Sequence, residues 1–240
     1  MKNAFVVPFR DRGRDELRSA NLKTIVAYLE SLDLGPVYVV SDGREGDAAF
    51  CRHAAYNAGG AQAFANGAET ICFYESDMIV SREQLVEGIR MASESMGLVV
   101  PFTQYRYLSP EDSEKVRNGE IDPFTCRPEY TMEDGESIGA INILSRESIE
   151  AVGQWDTVPD GNGFDDNMME RAFEVCCGQA TRYITGPATH LFHRPAWYGL
   201  RRAEVTAEDK AATMRNKRRY RQYLRATTPE QIRALTMGKS

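Results

Sequence analysis

Three absences narrow the chemistry open to this 240-residue chain. No G-x-x-x-x-G-K-[ST] stretch occurs, which excludes a P-loop that cradles phosphates in backbone N–H groups. No G-x-G-x-x-G follows the first apolar run, which removes the dinucleotide fingerprint of ordinary dehydrogenases. No run approaches the roughly 18 apolar residues of a membrane-spanning helix. The opening "MKNAFVVPFRDR" is too short an apolar run for a secretory signal. The cysteines, five in all, stand at 51, 72, 126, 176 and 177 and fit no zinc spacing; they read as reduced thiols of a cytoplasmic protein. Positive charge is concentrated at one end. Residues 201–240 hold 11 Lys/Arg against 4 Asp/Glu, a balance of +7, which leaves −13 on residues 1–200. That asymmetry reads as an acidic body, residues 1–200, with a basic helical extension, residues 201–240.

The body alternates apolar runs with helical patterns. Residues 3–9, 36–43, 69–81 and 97–103 read as strands. Between them, 14–32 has apolar residues near helical spacing, 47–67 is Ala-rich with an expected break at Gly59-Gly60, and 81–95 opens on a capping pattern at Ser81. This β-α-β-α-β-α-β order predicts an α/β fold with a parallel sheet covered by helices. Residues 104–136 read as a long polar loop with a short helix near 110–118. A strand, turn and helix follow over 137–156, then a Gly-rich loop entering a helix over 161–178, then a strand and a His-containing turn over 180–199.

Polar clusters fall at the carboxyl ends of the expected strands, where open α/β sheets bind ligands. In "FYESDMIVS" the side chains of Glu75 and Asp77, at i and i+2 of an extended segment, share a face and can share a hard divalent cation, Mn²⁺ or Mg²⁺. The alternative is that one of them caps the helix beginning near residue 81. "GNGFDD" sets Asp165 and Asp166 at a helix start behind a glycine loop, where either is a candidate general base toward a hydroxyl or a plain cap. Two of the three histidines, His190 and His193, lie within four residues of one another in "THLFHRP", and a neutral imidazole can complete a carboxylate metal site. His193 is the first candidate ligand and His190 the second. Arg10 and Arg12 of "PFRDR", Asp42 of "SDG", and Arg52 and Asn57 of "CRHAAYNAGG" are candidate phosphate, base or ribose contacts.

Taken in order, "VVPFRDR", "VSDG", "CRHAAYNAGG", "CFYESDMIVS", "IGAINILSRESIEAVGQWD", "GFDDNMMERAF" and "HLFHRP" resemble the GT-A fold glycosyltransferases, in particular family 2 enzymes and the carboxyl-terminal region of the β-1,4-galactosyltransferase family. The resemblance covers roughly residues 3–198. It implies a mixed, mostly parallel sheet and a Rossmann-like core. It implies that Glu75-Ser76-Asp77 stands at the D-x-D metal motif, with Asp77 the direct ligand and His193 or His190 its partner. It implies donor contacts from Pro8, Arg10, Arg12 and Asp42, beside which Arg52, Asn57 and Ser76 stand as further candidate donor contacts, and acceptor contacts from Gly139 and Asn142. Ala140 stands where the family has a second glycine. Asp165 falls on the catalytic base, with Asp166 beside it. The expected activity is metal-dependent, inverting transfer of a sugar from a nucleoside-diphosphate donor, UDP by the resemblance, to a hydroxyl on a glycan, a protein or a modified nucleic acid. The segment 104–136 would cover the acceptor.

Two other classes stay open on sequence. A nucleotidyltransferase also uses paired carboxylates on such a sheet. A non-catalytic nucleic-acid- or carbohydrate-binding protein would use "MRNKRRYRQYLRA", residues 214–226. The plainer reading of that tail is an amphipathic helix packed on the body with Met214, Tyr220 and Leu224 inward.

Overall fold

The computed structural model describes residues 2–13, 15–46, 48–132, 139–161, 163–194 and 207–238. The expected boundary at 200/201, the end of the 104–136 segment and Pro195 lie outside the described residues.

The first half follows the expected alternation, through β1 (Asn3–Pro8), α1 (Glu16–Ser31), β2 (Val37–Val40), α2 (Arg52–Ala65) and β3 (Thr70–Tyr74). Every residue of β3 and all but the first of β1 are buried, as strands covered on both faces must be. The Asp15 side chain accepts the Leu17 N–H and starts α1, which buries Ile25 and Leu29. Contrary to expectation, α2 runs unbroken through Gly59-Gly60. A Cβ at Gly59 would lie 2.3 Å from Val6 Cγ1, so this glycine serves close packing of α2 on β1 rather than a break.

The expected third strand, 69–81, is two strands. β3 ends at Tyr74, residues 75–77 turn, and β4 (Met78–Ile79) enters a different sheet. Helix α3 (Arg82–Glu94) begins with a reciprocal Ser81–Gln84 capping box, and β5 (Val99–Val100) follows. The segment read as a polar loop contains β6 (Gln104–Tyr107) and β7 (Tyr130–Met132) as well as the expected short helix, α4 (Pro110–Arg117). Next come β8 (Ile141–Ser145), α5 (Arg146–Val152), α6 (Asp165–Cys177), β9 (Arg182–Tyr183), β10 (Pro187–His190), α7 (Ala207–Arg225) and α8 (Pro229–Thr236).

The main sheet has the order β2-β1-β3-β8-β5-β9. β1 is parallel to β2 and β3, and β5 to β9, while β8 runs antiparallel between β3 and β5. The sheet is therefore mixed and mostly parallel, with helices against it. The second sheet, β4-β10-β6-β7, lies against the end of β3 where the chain turns. Helix α7 packs on α6 and α8. Its inward residues are Ala212, Asn216 and Tyr223; Met214 and Leu224, expected inward, are exposed, and Tyr220 is half-buried. Polar contacts decide that face. Arg219 Nε donates to Asp156 Oδ2 at 2.9 Å, and the Tyr223 hydroxyl donates to the same oxygen at 2.8 Å.

Candidate metal and catalytic site

Asp77 stands on the turn between β3 and β4. The Leu191 N–H donates to the Asp77 carbonyl at 2.8 Å, and β10 pairs His190 with Met78. These bonds bring the end of β10 beside the turn. The following residues are tied to α1: the Arg194 N–H donates to Asp15 Oδ2 at 2.5 Å, and the Asn21 amide donates to the Phe192 carbonyl at 3.2 Å. As a result His193 Nε2 lies 2.9 Å from Asp77 Oδ2, and His190 Nε2 lies 3.8 Å from Asp77 Oδ1. One ligand atom from each residue falls within 4.8 Å of the others. Asp77 is 5% exposed, and its buried Oδ1 has no hydrogen-bond partner.

Such a buried, unpartnered carboxylate oxygen facing two imidazoles fits a divalent cation, because it otherwise bears a desolvation penalty without compensation. His193 Nδ1 faces the Arg194 carbonyl at 3.0 Å, and in the neutral tautomer whose Nδ1–H donates there Nε2 carries the lone pair a metal needs. Burial pushes the Asp77 carboxyl up, but His190, His193 and Arg18 outweigh it and hold the group well below the usual carboxylate range. Burial pushes His190 down to about 4 against the pull of Asp77, so its ring is neutral and available to a metal at pH 7. His193 goes the other way: burial opposes its charge, but the hydrogen bond and charge of Asp77 raise it.

Glu75 does not join this group. The i, i+2 argument needs extended backbone, and residues 75–77 turn instead. Glu75 accepts a hydrogen bond from Arg52 Nη1. Arg52 Nη2 donates at 2.5 Å to Asp165 Oδ2 and at 2.5 Å to Asp166 Oδ1. One guanidinium at the first turn of α2 thus gathers three carboxylates, one from the β3–β4 turn and two from α6. Burial raises Glu75 and Asp166, against Arg52; Asp166 reaches about 7, helped by Asp165 and Glu75. At Asp165 burial is outweighed by Arg52 and His53, so that carboxyl stays below its ordinary value. Neighbouring acids with opposed shifts mark a site able to hold one base ionised.

The other expected donor contacts are placed as follows. Arg10 Nε binds Asp42 Oδ1 at 2.8 Å, and Asp42 also accepts the Cys51 N–H at 2.9 Å. Its side chain is fully buried, so Asp42 holds the loop to the start of α2 instead of facing open space. Asn57 gives both ends of its amide to the Trp155 backbone, at 2.9 Å each, and acts as an internal strap. Pro8 ends β1 opposite Val40, Arg12 is half-buried in the next loop, and Ser76 is half-buried between the two carboxylates. Gly139 is buried, and Asn142 lies in β8 opposite Phe73 with its Oδ1 unpartnered.

Sequence reasoning missed two backbone features. Ala140 has φ +97° and its carbonyl accepts the Glu75 N–H at 2.8 Å. Phe164, immediately before Asp165, has φ +67°. A non-glycine residue in this region is strained, and such strain gathers at functional sites. Only the alanine in place of the family's second glycine offered a signal. Also missed were Tyr105 and Tyr107 of β6, whose rings pack on His190 at centroid distances of 5.7 and 4.9 Å.

No family model and no curated protein matches the sequence. Solved structures do. The catalytic domain of Drosophila β1,4-galactosyltransferase 7 in complex with xylobiose is similar at 17% identity and TM-score 0.52, over 89% of this chain and 79% of that one. A mutant of the Drosophila enzyme in complex with manganese, UDP-Gal and xylobiose gives 18% and 0.54, over 88% and 79%. The chain has the GT-A fold. GalNAc-T7 with UDP, GalNAc and Mn²⁺ is similar at 11% identity and TM-score 0.51, over 96% of this chain and 51% of that one. Within this GT-A chain, both side-chain clusters start from the carboxyl end of β3, the third strand of the parallel set.

Proposed function

We propose that the protein is a metal-dependent, inverting glycosyltransferase that moves a sugar from a UDP donor to an acceptor hydroxyl. The observation that carries this reading is the pairing of two clusters on one strand end. Asp77, His190 and His193 converge with an unpartnered carboxylate oxygen, and Asp165 stands ionised within the neighbouring Arg52 group. The solved relatives that carry manganese or Mn²⁺ with UDP-Gal or UDP support it. Residues 1–200 form the transferase body in this reading, with 201–240 as its basic extension. The five free cysteines support a cytoplasmic setting.

Asp77, His190 and His193 would hold Mn²⁺ or Mg²⁺, which when bound supplies Lewis-acid stabilisation to a diphosphate leaving group. Asp165 takes the acceptor proton as the hydroxyl attacks the anomeric carbon in line, a single displacement that inverts configuration. Asp165 takes this role by its place in the resemblance, and Asp166, whose carboxyl burial raises to about 7, is the competing base that the paired variants separate. Arg52 keeps both carboxylates in place.

The test is release of nucleoside diphosphate from a panel of donors, with and without Mn²⁺. Asp165→Asn is expected to keep donor binding and to lose transfer by about 10²–10⁴-fold, the range of general-base contributions. Asp77→Ala is expected to lose metal-dependent nucleotide binding. If Asp166→Asn rather than Asp165→Asn stops transfer, the base is the neighbouring residue. Release of pyrophosphate in place of nucleoside diphosphate would replace the reading with nucleotidyl transfer.

A further inference from the structure

Helix α7 differs from four other charged helices of the molecule. In α3, α4, α6 and α8 cations meet acids one turn away: Arg90 with Glu87 and Glu94, Lys115 with Glu111, Arg171 with Glu174, Arg233 with Glu230. From residue 210 to 225 the chain contains Lys and Arg but no Asp or Glu. Arg215 and Arg219 reach back to Asp160 and Asp156 on the body. Lys210, Lys217, Arg218, Arg221 and Arg225 are exposed, and none meets a carboxylate among the described residues. Pairs 217/221, 221/225 and 218/221 set like charges one turn apart, an arrangement that weakens a helix in isolation. The remainder of the surface repels anions, since residues 1–200 carry −13.

The position of this face is as informative as its charge. Asn216 Nδ2 donates to the Asp160 and Gly163 carbonyls at 3.0 Å each, and the Tyr220 ring stacks on Phe164 at 5.7 Å. These contacts clamp α7 to the loop that delivers Asp165. Lys217 Nζ lies 5.9 Å from the centroid of the Phe164 ring, so the cationic face lies beside the residue that immediately precedes Asp165.

We propose that the outward face of α7 docks the phosphate backbone of a nucleic acid, which then presents a hydroxyl carried on a modified nucleotide to the transferase site; the second half of the statement rests on the glycosyltransferase reading, the first does not. Arginine-rich faces suit phosphodiesters because the planar guanidinium matches phosphate oxygens in a fork. A row of cations along one helix face neutralises successive phosphates and releases their counterions. A lipid surface fits less well. An interfacial helix inserts an apolar face, and the apolar side of α7 is already buried on α6 and α8. Its exposed apolar residues, Met214 and Leu224, are separated by almost three turns.

The experiment measures binding of the full chain to a fluorescent 20-base-pair DNA duplex, and to a 20-nucleotide single strand, from 50 to 200 mM salt. Four phosphate contacts by Lys217, Arg218, Arg221 and Arg225 give a slope of about −3.6 in log K against log salt for the duplex, an affinity loss of about 100-fold over that range. Replacing all four with Gln is expected to weaken binding at 50 mM at least tenfold and to flatten the slope. The helix should survive this change, because no buried contact is removed; a circular-dichroism melt checks it. Asp77→Ala is expected to bind the duplex like wild type. Absence of wild-type binding at 50 mM, or equal binding by the folded Gln variant, overturns the proposal. Tighter binding to phosphatidylserine vesicles than to either nucleic acid also overturns it, in favour of a lipid surface. Nucleic-acid binding without sugar transfer from any donor would keep the docking face and remove the transferase reading. Transfer to other acceptors without nucleic-acid binding would do the reverse.

Discussion

Asp166→Asn should stabilise the protein. The Asp166 carboxyl is raised from 3.8 to about 7 by burial and by its neighbours Asp165 and Glu75, with Arg52 opposing. Between those two values the folded state binds a proton that the unfolded state has released. Stability therefore falls as pH rises through the window from about 4 to 7, and the full cost stands above it. At about 1.4 kcal/mol per pH unit the displacement bounds that cost at roughly 4 kcal/mol. The side chain is 28% exposed and shares Arg52 with two other acids, which brings the expected figure to about 1–3 kcal/mol. Asparagine keeps an oxygen for Arg52 Nη2 and carries no charge. In metal-free buffer at pH 8 the variant should melt about 2–10 °C above wild type, and the gap should close toward pH 4. Asp165→Asn gives the internal contrast. That carboxyl is held below its ordinary value, chiefly by Arg52 against burial, so it contributes stability that is present above about pH 4 and lost on acidification. Its removal should lower the melting temperature at pH 8. A lower melting temperature for Asp166→Asn at pH 8, or a gap unchanged from pH 8 to pH 4, would refute the electrostatic account of this cluster.

Two further substitutions separate packing from ligand binding. Ala140→Gly should stabilise by about 1 kcal/mol in urea unfolding, because glycine relieves the strain of φ +97° and gives part of that gain back as unfolded-chain entropy; a loss of stability would show that the alanine is not strained. Asn57→Ala should cost about 2–4 kcal/mol, since it leaves the Trp155 N–H and carbonyl without their partners. The affinity of the folded Asn57→Ala variant for UDP should stay within about twofold. Weaker UDP binding with an unchanged melt would return Asn57 to the donor site.

The strands, helices and rim of the first hundred residues were legible because local periodicity and strand-end polarity carry them. Asp77 and the histidine doublet were legible for the same reason: a carboxylate closing an apolar strand, and two scarce imidazoles closing another. The partner of Glu75 was not. Whether residues i and i+2 share a face depends on the backbone between them, and residues 75–77 turn because β3 and β4 belong to different sheets. The Arg52 cluster joins residues separated by 23, 113 and 114 positions, a juxtaposition that only the folded sheet creates. Strands β6 and β7 escaped notice because their pairing is non-local and tyrosines, rather than an apolar run, fill them. The inward face of α7 was misassigned because polar groups fix it: Asn216 on the Gly163 loop, and Arg219 and Tyr223 on Asp156. An apolar-stripe argument selects Met214 and Leu224 instead, and both are exposed.

The central claim is that Asp77, His190 and His193 form a divalent-cation site at the end of β3. A Mn²⁺ titration followed by electron paramagnetic resonance, with and without UDP, tests it most directly. Wild type should bind one Mn²⁺, more tightly with UDP present; Asp77→Ala should bind none at that site, and Glu75→Gln should still bind. Equal Mn²⁺ binding by wild type and folded Asp77→Ala, or loss of binding in Glu75→Gln alone, would contradict the account.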